Sequence, residues 1–384
     1  MQKLSADYLF SPDGWLRDHV LEIDEAGVIH DVRPLRSGES GVRPLRGTLC
    51  PGFVNAHCHL ELSMLRDTIP EHTGMTGFIG QVVRQRQAFS EGAQIQAAQI
   101  ALQEMKARGI VALGDICNTA LTATIKQANP DFLCYNFVER LGLRPEQADQ
   151  IITDGQKIAT QFDGQPTSLS PHAPYSMSSE LLRALYQSKP ERISIHLLES
   201  LEERQLFDEG RGPFLDFFAA IKAPKPESAG TIGAVAHILA DHSGDTPTLL
   251  VHNTEIRPEE LAQLMAHIQE AWLCLCPLSN LYIHDRLPRI EDFLPYEDRI
   301  CLGTDSLASN HKLDLWAEIL CLKENFPDLS WHQLLNWATY NGARALGFAD
   351  QIGSFEQGKK PGIVLLPIMG EAGRLEGQEL QRLT

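Results

Sequence analysis

Eight short apolar runs recur between residues 53 and 306, and polar, metal-competent side chains gather at the C-terminal ends of most of them. The runs are FVNAHCH (53–59), GIVALGDI (109–116), FLCYNFVE (132–139), TSLSPHA (167–173), RISIHLLE (192–199), TLLVHNTE (248–255), AWLCLCPL (271–278) and RICLGTDS (299–306). Their near-continuous apolar character suits strands buried on both faces, as in a parallel sheet. Amphipathic stretches fall between them. The clearest is 91–108, where Ile95, Ala98, Leu102 and Met105 recur at helical spacing, Ser90 can cap the start and Gly109 can close the end. Others begin at Ser179, Thr231, Pro258 and Ser330. Strand-then-helix repeated eight times predicts an α/β fold, a (β/α)₈ TIM barrel. A doubly wound open sheet is the alternative that periodicity alone leaves standing.

The two ends of the chain read differently. Residues 1–50 hold short β-like pieces (ADYLF, DHVLEIDEAGVIHDV), and 352–367 reads IGSFEQGKKPGIVLLP. These predict a small β-sandwich built from both termini, 1–50 plus 352–384, beside a catalytic barrel over 51–351.

The polar ends of the runs carry the chemistry. His57 and His59 end the first, His172 the fourth, His196 and Glu199 the fifth, His252 the sixth and Asp305 the eighth. In a barrel those ends converge on the face where active sites are built. A strand has a side-chain period of two, so in HCH the two imidazoles share a side and Cys58 is directed away. Such a pair suits Zn²⁺ or Fe²⁺; two ordinary core histidines are the bland alternative. Glu199 falls in the turn beyond His196, where a carboxyl group can shuttle protons to a substrate, although LESLEERQ also holds solvated acids. Asp305 can ligate a metal and accept a proton, or it can cap a helix, a task that Ser306 or Ser309 performs equally well.

Weaker signals lie in the loops. Residues 60–80, with Gly74 and Gly77, are long for a strand-to-helix connection and suit a lid. Glu61 and Glu71 are placed where a ribose hydroxyl can be met, with surface solvation as the default. Arg140 and Arg144, after the third strand, are candidates to receive an anionic group, with Arg84 and Arg86 as competitors. His237 and His242 read as solvated.

The formal charge of −17 argues against nucleic acid or an anionic membrane as partner. No apolar run approaches the roughly 18 residues that span a bilayer, and the first ten residues lack the pattern of a secretion signal. The eight cysteines form no CxxC pair and read as buried thiols. The expectation is a cytoplasmic protein acting on a small molecule, with a homodimer left open.

In order, PGFVNAHCHLELS, SPHAPYS, SIHLLES, LVHNTEI, CPLSN and LGTDSLASN resemble the amidohydrolase superfamily. Within it they are similar to the metal-dependent deaminases that act on adenosine, S-adenosylhomocysteine or aminodeoxyfutalosine. The resemblance implies ligation of one divalent metal ion, zinc expected and iron(II) the alternative, by His57, His59, His196 and Asp305. A single ion follows because the fourth strand ends in SPHAPYS, without the lysine that bridges two metals in other members. It further implies Glu199 as proton shuttle, Asp305 as acceptor of the water proton, His252 as the group that orients the attacking water, and His172 as a substrate contact. The implied reaction is hydrolytic release of ammonia from the adenine ring of a nucleoside, best matched to aminodeoxyfutalosine of the alternative menaquinone pathway. Deaminases of S-adenosylhomocysteine, methylthioadenosine or adenosine, guanine or triazine aminohydrolases, and a non-catalytic assembly protein are the alternatives.

Overall fold

The computed structural model describes residues 1–368, 370 and 379–384. Its centre is eight parallel strands, Phe53–Cys58, Ile110–Cys117, Leu133–Arg140, Thr167–Pro171, Ile193–Leu197, Thr248–His252, Ala271–Leu275 and Ile300–Leu302. Each falls within one of the eight apolar runs or overlaps it closely. The first four pair in chain order, as do the last four. Two seams join the halves. Between the fourth and fifth strands, His196 N donates to His172 O (2.9 Å) and Ser194 N to Ser170 Oγ (2.6 Å). Between the eighth and first, Thr304 N and Asp305 N both donate to His57 O (3.0 and 3.1 Å), and Cys58 and Asp305 form a parallel bridge. The strand order thus runs round and returns to its start, as in a (β/α)₈ barrel, without the reversal of a doubly wound sheet.

Helices cover the strands as the apolar periodicity requires. The helix Glu91–Ala107 is capped by Ser90, whose Oγ accepts from Ala93 N (3.3 Å), and Gly109 follows it at φ +78°. Helices Ser179–Gln187, Pro258–His267 and Trp331–Ala338 begin at or one residue after the expected positions. The start expected at Thr231 moves to Ala234, because Gly233 at φ +77° breaks the backbone first. Leu102, Met105, Leu181, Leu264 and Ile319 on helices pack with Leu113, Ile195 and Leu273 on strands in one apolar layer.

The ends form two sheets. One is ordered Ile29–Pro34, His19–Ile23, Gln2–Ser5 and Val42–Pro44; the other is Gln381–Arg382, Ile363–Leu366, Thr48–Pro51, Tyr8–Ser11 and Gly14–Leu16. Leu4, Leu21 and Ile23 of the first meet Leu9, Leu49 and Ile363 of the second in a separate apolar cluster. The second sheet contains strands from both ends of the chain, as expected. Residues 369 and 371–378 of the expected terminal unit lie outside the described residues.

One buried ion pair fixes how the chain leaves the first barrel strand. Asp115 Oδ1 accepts from Leu60 N (2.8 Å), the peptide next to His59, while Asp115 Oδ2 lies 2.5 Å from Lys126 Nζ. Neither side chain is exposed at all, and Lys126 Nζ also donates to Asn136 Oδ1 (2.5 Å). A buried charge stripped of its partner costs far more than the pair contributes. Lys126→Met is therefore expected to destabilise the protein by about 3–5 kcal/mol in urea denaturation, and a loss as small as that of a surface pair, about 1 kcal/mol or less, would show the bracket to be dispensable. The seam at the other side of the first strand is equally tight. A Cβ on Gly303 would stand 2.8 Å from His57 Cβ and O and 3.0 Å from Cys276 Sγ. Gly303→Ala is expected to cost about 1–3 kcal/mol through overpacking, read from the same denaturation curves.

Candidate metal centre and substrate cavity

The ends of the first, fifth, sixth and eighth strands bring their polar side chains together. His57 Nε2 lies 3.5 Å and His59 Nε2 3.3 Å from Asp305 Oδ1, and His59 Nε2 lies 3.2 Å from His196 Nε2. One ligand atom each from His57, His196, His252 and Asp305 fall within 4.8 Å of one another. All five residues are buried. Cys58 packs instead among Leu60 and Leu102, away from the cluster.

Local backbone geometry aims these groups. Leu198, His252, Asn253 and Asp305 take φ values of +46°, +69°, +54° and +56°. Non-glycine residues in this left-handed region cost about 1–3 kcal/mol each and concentrate at functional sites. Hydrogen bonds then fix the rings. His196 Nδ1 meets His172 O (2.9 Å), so Nδ1 carries the hydrogen and the Nε2 lone pair faces the cluster. His252 Nδ1 likewise meets Asn280 Oδ1 (2.7 Å), and Asn280 Nδ2 donates to Thr254 Oγ1 (3.0 Å), which sets the amide's orientation. Asp305 Oδ2 accepts from the hydroxyls of Ser279 (2.7 Å) and Ser309.

The electrostatics fit a cation. Burial pushes the His59, His196 and His252 imidazoles down, His252 to about 3, so they are neutral donors. Burial pushes Asp305 up, but the neighbouring His57, His59 and His252 rings outweigh it and hold the carboxyl well below its usual range. A buried carboxylate among neutral imidazoles lacks a compensating positive charge, which is what a divalent ion would supply there. The geometry agrees: ligands about 2.0–2.1 Å from a tetrahedral zinc stand about 3.3–3.4 Å apart, close to the 3.2, 3.3 and 3.5 Å separations above. Among the described residues, both ring nitrogens of His57 and Nε2 of His252 are buried without a hydrogen-bond partner, and coordination through one His57 nitrogen would lower that cost.

The cluster opens into a cavity of about 490 Å³. Helix Gly74–Arg86 forms an apolar wall through Met75, Phe78, Ile79 and Val82, on the segment expected to act as a lid. Glu199, His172, Glu139, Arg140, Arg86 and Asn118 line it with polar groups. Glu199 Oε1 lies 3.5 Å from His252 Nε2; burial, with the Asp305 and Glu203 carboxylates nearby, holds its carboxyl well above the usual range. His172 Nδ1 bonds Ser176 Oγ (2.7 Å). A larger depression of about 780 Å³, lined by Met1, Asp24, Asp131, Lys360 and Arg382 among others, contains none of the histidines.

Two expected substrate contacts do not reach this cavity. Glu61 is buried rather than solvated; its oxygens accept from Asn118 N (2.9 Å), Thr119 N (3.2 Å), Thr119 Oγ1 (2.8 Å) and Arg86 Nη2 (3.1 Å). Arg144 turns away and donates to Lys222 O (3.0 Å). Arg140 does line the cavity, with Nη2 on Asn118 O (2.8 Å). His237 and His242 are buried too, His242 between Thr248 Oγ1 and Gly244 N. Sequence reasoning missed Glu139 and Asn118; an acid ending the NFVE run was the available signal for the first, and nothing local marks the second. It also gave Asn280 and Ser279 no role, though CPLSN was part of the resemblance.

Known proteins extend this geometry. The adenosine deaminase of Helicobacter pylori is 26% identical over 358 residues, covering 88% of this chain and 86% of that protein. A 5-methylthioadenosine/S-adenosylhomocysteine deaminase of Moorella thermoacetica is 27% identical over 338 residues, covering 82% and 72%. Among solved structures, the aminofutalosine deaminase of Helicobacter pylori in complex with methylthio-coformycin superposes with a TM-score of 0.81 at 23% identity, covering 95% of this chain and 92% of that one. An adenosine deaminase from Xanthomonas campestris with bound zinc gives 0.72 at 21%, covering 95% and 84%. These two structures speak for the fold. Residues 48–376, which carry the whole histidine–aspartate cluster and the cavity beside it, match the Amidohydrolase family, and the chain belongs to it.

Proposed function

We propose that this protein is a hydrolytic deaminase of adenine nucleosides, with 51–351 as the catalytic unit and 1–50 plus 352–384 as its β-rich support. The observation that carries the reading is one cavity faced both by a buried three-histidine, one-aspartate cluster and by a proton-holding glutamate. The names of the relatives, deaminases of adenosine, methylthioadenosine and S-adenosylhomocysteine, point the same way.

In this reading His57, His59, His196 and Asp305 hold one divalent ion, zinc in the first place and iron(II) in the second. His59 is preferred to His252 as the third imidazole because its contacts to His196 and Asp305 have tetrahedral edge lengths, whereas His252 Nε2 faces Glu199 Oε1. A bound ion supplies Lewis-acid activation of the attacking water. The protein's own groups do the rest. His252, fixed by Asn280, holds the water in line with the ring carbon. Asp305, kept ionised, takes a proton from that water. Glu199, kept protonated, gives its proton to the ring nitrogen beside the target carbon and makes that carbon electrophilic. Left as a carboxylate, it takes the second proton of the water and relays it to the departing amine, and the proton on Asp305 then returns to Glu199, so that water and the amino-purine become the oxo-purine and ammonia. His172 contacts the ring.

The apolar wall and Arg140 favour a nucleoside whose 5′ end carries an apolar, anionic extension, as in aminodeoxyfutalosine. Deaminases of adenosine or S-adenosylhomocysteine are the nearest alternatives.

Three outcomes test this. Elemental analysis should find one zinc or iron per chain, lost in His59→Ala; two ions per chain, or full retention in the variant, would sink the ligand set. Glu199→Gln should keep the metal and lose deamination by roughly 10²–10⁴-fold; turnover at the wild-type rate would remove Glu199 from the mechanism. Arg140→Met should weaken kcat/KM for the carboxylated nucleoside by one to two orders of magnitude, about 1.5–3 kcal/mol, and leave a neutral nucleoside nearly unchanged. An equal loss on both would assign Arg140 to the scaffold.

A further inference from the structure

Glu139 ends the third barrel strand, is 5% exposed, and faces the cavity, yet the mechanism above leaves it without a task. One of its oxygens is committed: Oε2 accepts from Asn118 Nδ2 (2.8 Å). Asn118 cannot swing away, because its N donates to Glu61 Oε1 (2.9 Å), its Oδ1 accepts from Arg86 Nη1 (3.3 Å), and its O accepts from Arg140 Nη2 (2.8 Å). The other oxygen is not committed. Among the described residues Glu139 Oε1 accepts no hydrogen bond, and His196 Nδ1, 3.8 Å away, already gives its hydrogen to His172 O. A rigidly held, buried carboxylate with a free lone-pair face beside the cavity asks for a donor. A ring nitrogen of His172 lies within 4.8 Å of the same carboxylate, so a ligand whose base meets His172 can bring a neighbouring donor to Glu139.

A nucleoside offers such groups only on its sugar, since the adenine edges beyond the amino group are acceptors. Carboxylates receive ribose hydroxyls in other nucleotide-binding folds. We infer that Glu139 is a substrate-binding residue whose free Oε1 accepts a ribose hydroxyl, with Asn118 as the positioning residue that aims it. This rests on the adenine-nucleoside reading. A second cation held by Glu139, His172 and His196 is the competing use of the same atoms. It is disfavoured because His196 Nδ1 carries a hydrogen and His172 Nδ1 is bound to Ser176 Oγ.

The test compares ammonia release from adenosine, 2′-deoxyadenosine and 3′-deoxyadenosine by metal-loaded wild type and Glu139→Gln. A hydrogen bond to a charged acceptor makes the wild type prefer adenosine over one of the deoxynucleosides by roughly 10–150-fold in kcat/KM. Glu139→Gln should lose most of that preference: its activity on adenosine falls, its activity on the discriminated deoxynucleoside stays within about two- to threefold, and its metal content is unchanged. The deoxynucleoside that is discriminated identifies the hydroxyl. Glu139 is overturned as a sugar contact by equal wild-type activity on all three nucleosides. It is overturned equally by a loss in Glu139→Gln common to all three, by an unchanged preference, or by a second metal ion that the variant loses. Should only the carboxylated nucleoside proposed above react, its own 2′- and 3′-deoxy forms make the same comparison; wild type that releases ammonia from none of these overturns instead the nucleoside reading on which the inference stands.

Discussion

A carboxylate shut away from water among neutral imidazoles is the constraint around which this barrel is arranged. Asp305 is unfavourable where it stands unless positive charge and hydrogen-bond donors surround it. The protein meets the second demand with the Ser279 and Ser309 hydroxyls; the first is a demand that a bound cation would meet. Meeting both requires four strand ends to arrive at one point, which open strand ends do not do unaided. The peptide of His57 is gripped from the eighth strand by Thr304 N and Asp305 N, and Gly303 is the residue that lets the two strands approach so closely. On the other side, Asp115 captures the peptide after His59. The HCH triplet is thus clamped from both neighbouring strands before any ligand enters.

The cavity roof is tied to the same turn that carries the proton-holding glutamate. Gly74 opens the helix Gly74–Arg86 at φ +69°, and the next two peptides, Met75 N and Thr76 N, donate to the Glu202 carboxylate (3.1 and 2.9 Å). A carboxylate at a helix N-terminus satisfies orphan donors and complements the helix dipole. A Cβ at position 74 would stand 2.4 Å from Glu202 Oε1, so the cap needs glycine there. Glu202 lies three residues after Glu199, and Glu203 Oε2 accepts from Glu199 N (3.0 Å). In a run that reads as a row of solvated acids, Glu199 faces the cavity, Glu202 caps the apolar wall and Glu203 anchors the turn.

That run marks the boundary of what is legible in the sequence. The eight strands were readable because a strand buried on both faces must be apolar throughout, and this demand leaves a local signature. The HCH pair, His196, His252 and Asp305 were readable because they interrupt that signature at its ends. Glu61, Arg144, Glu139 and Asn118 were not, because each is defined by partners far off in the chain. Glu61 sits in a loop like many solvated acids, and only the fold brings Asn118, Thr119 and Arg86 to it. Arg140 and Arg144 are equally basic and nearly adjacent; strand geometry sends one to the cavity and the loop sends the other to Lys222 O. His242 was misjudged for the same reason, its burial set by the Thr248 strand it touches.

Asn118 shows how such partners act as a unit. Its four polar positions join the turn after the second strand to Glu61, to Arg86 at the end of helix Gly74–Arg86, and to Glu139 and Arg140 at the end of the third. A buried polar network is stable only when its members are satisfied together. Here the contacts of Asn118 and Glu61 are satisfied, while among the described residues Glu139 Oε1 and the buried Arg140 Nε, on two residues that line the cavity, are left without a hydrogen-bond partner. A network built for stability alone has no reason to leave its open valences on residues beside which a ligand enters. The arrangement follows if the network's outward face is part of the substrate's surroundings. A metal held by the histidine–aspartate cluster would then set which chemistry is possible, and this second network would select which molecule undergoes it.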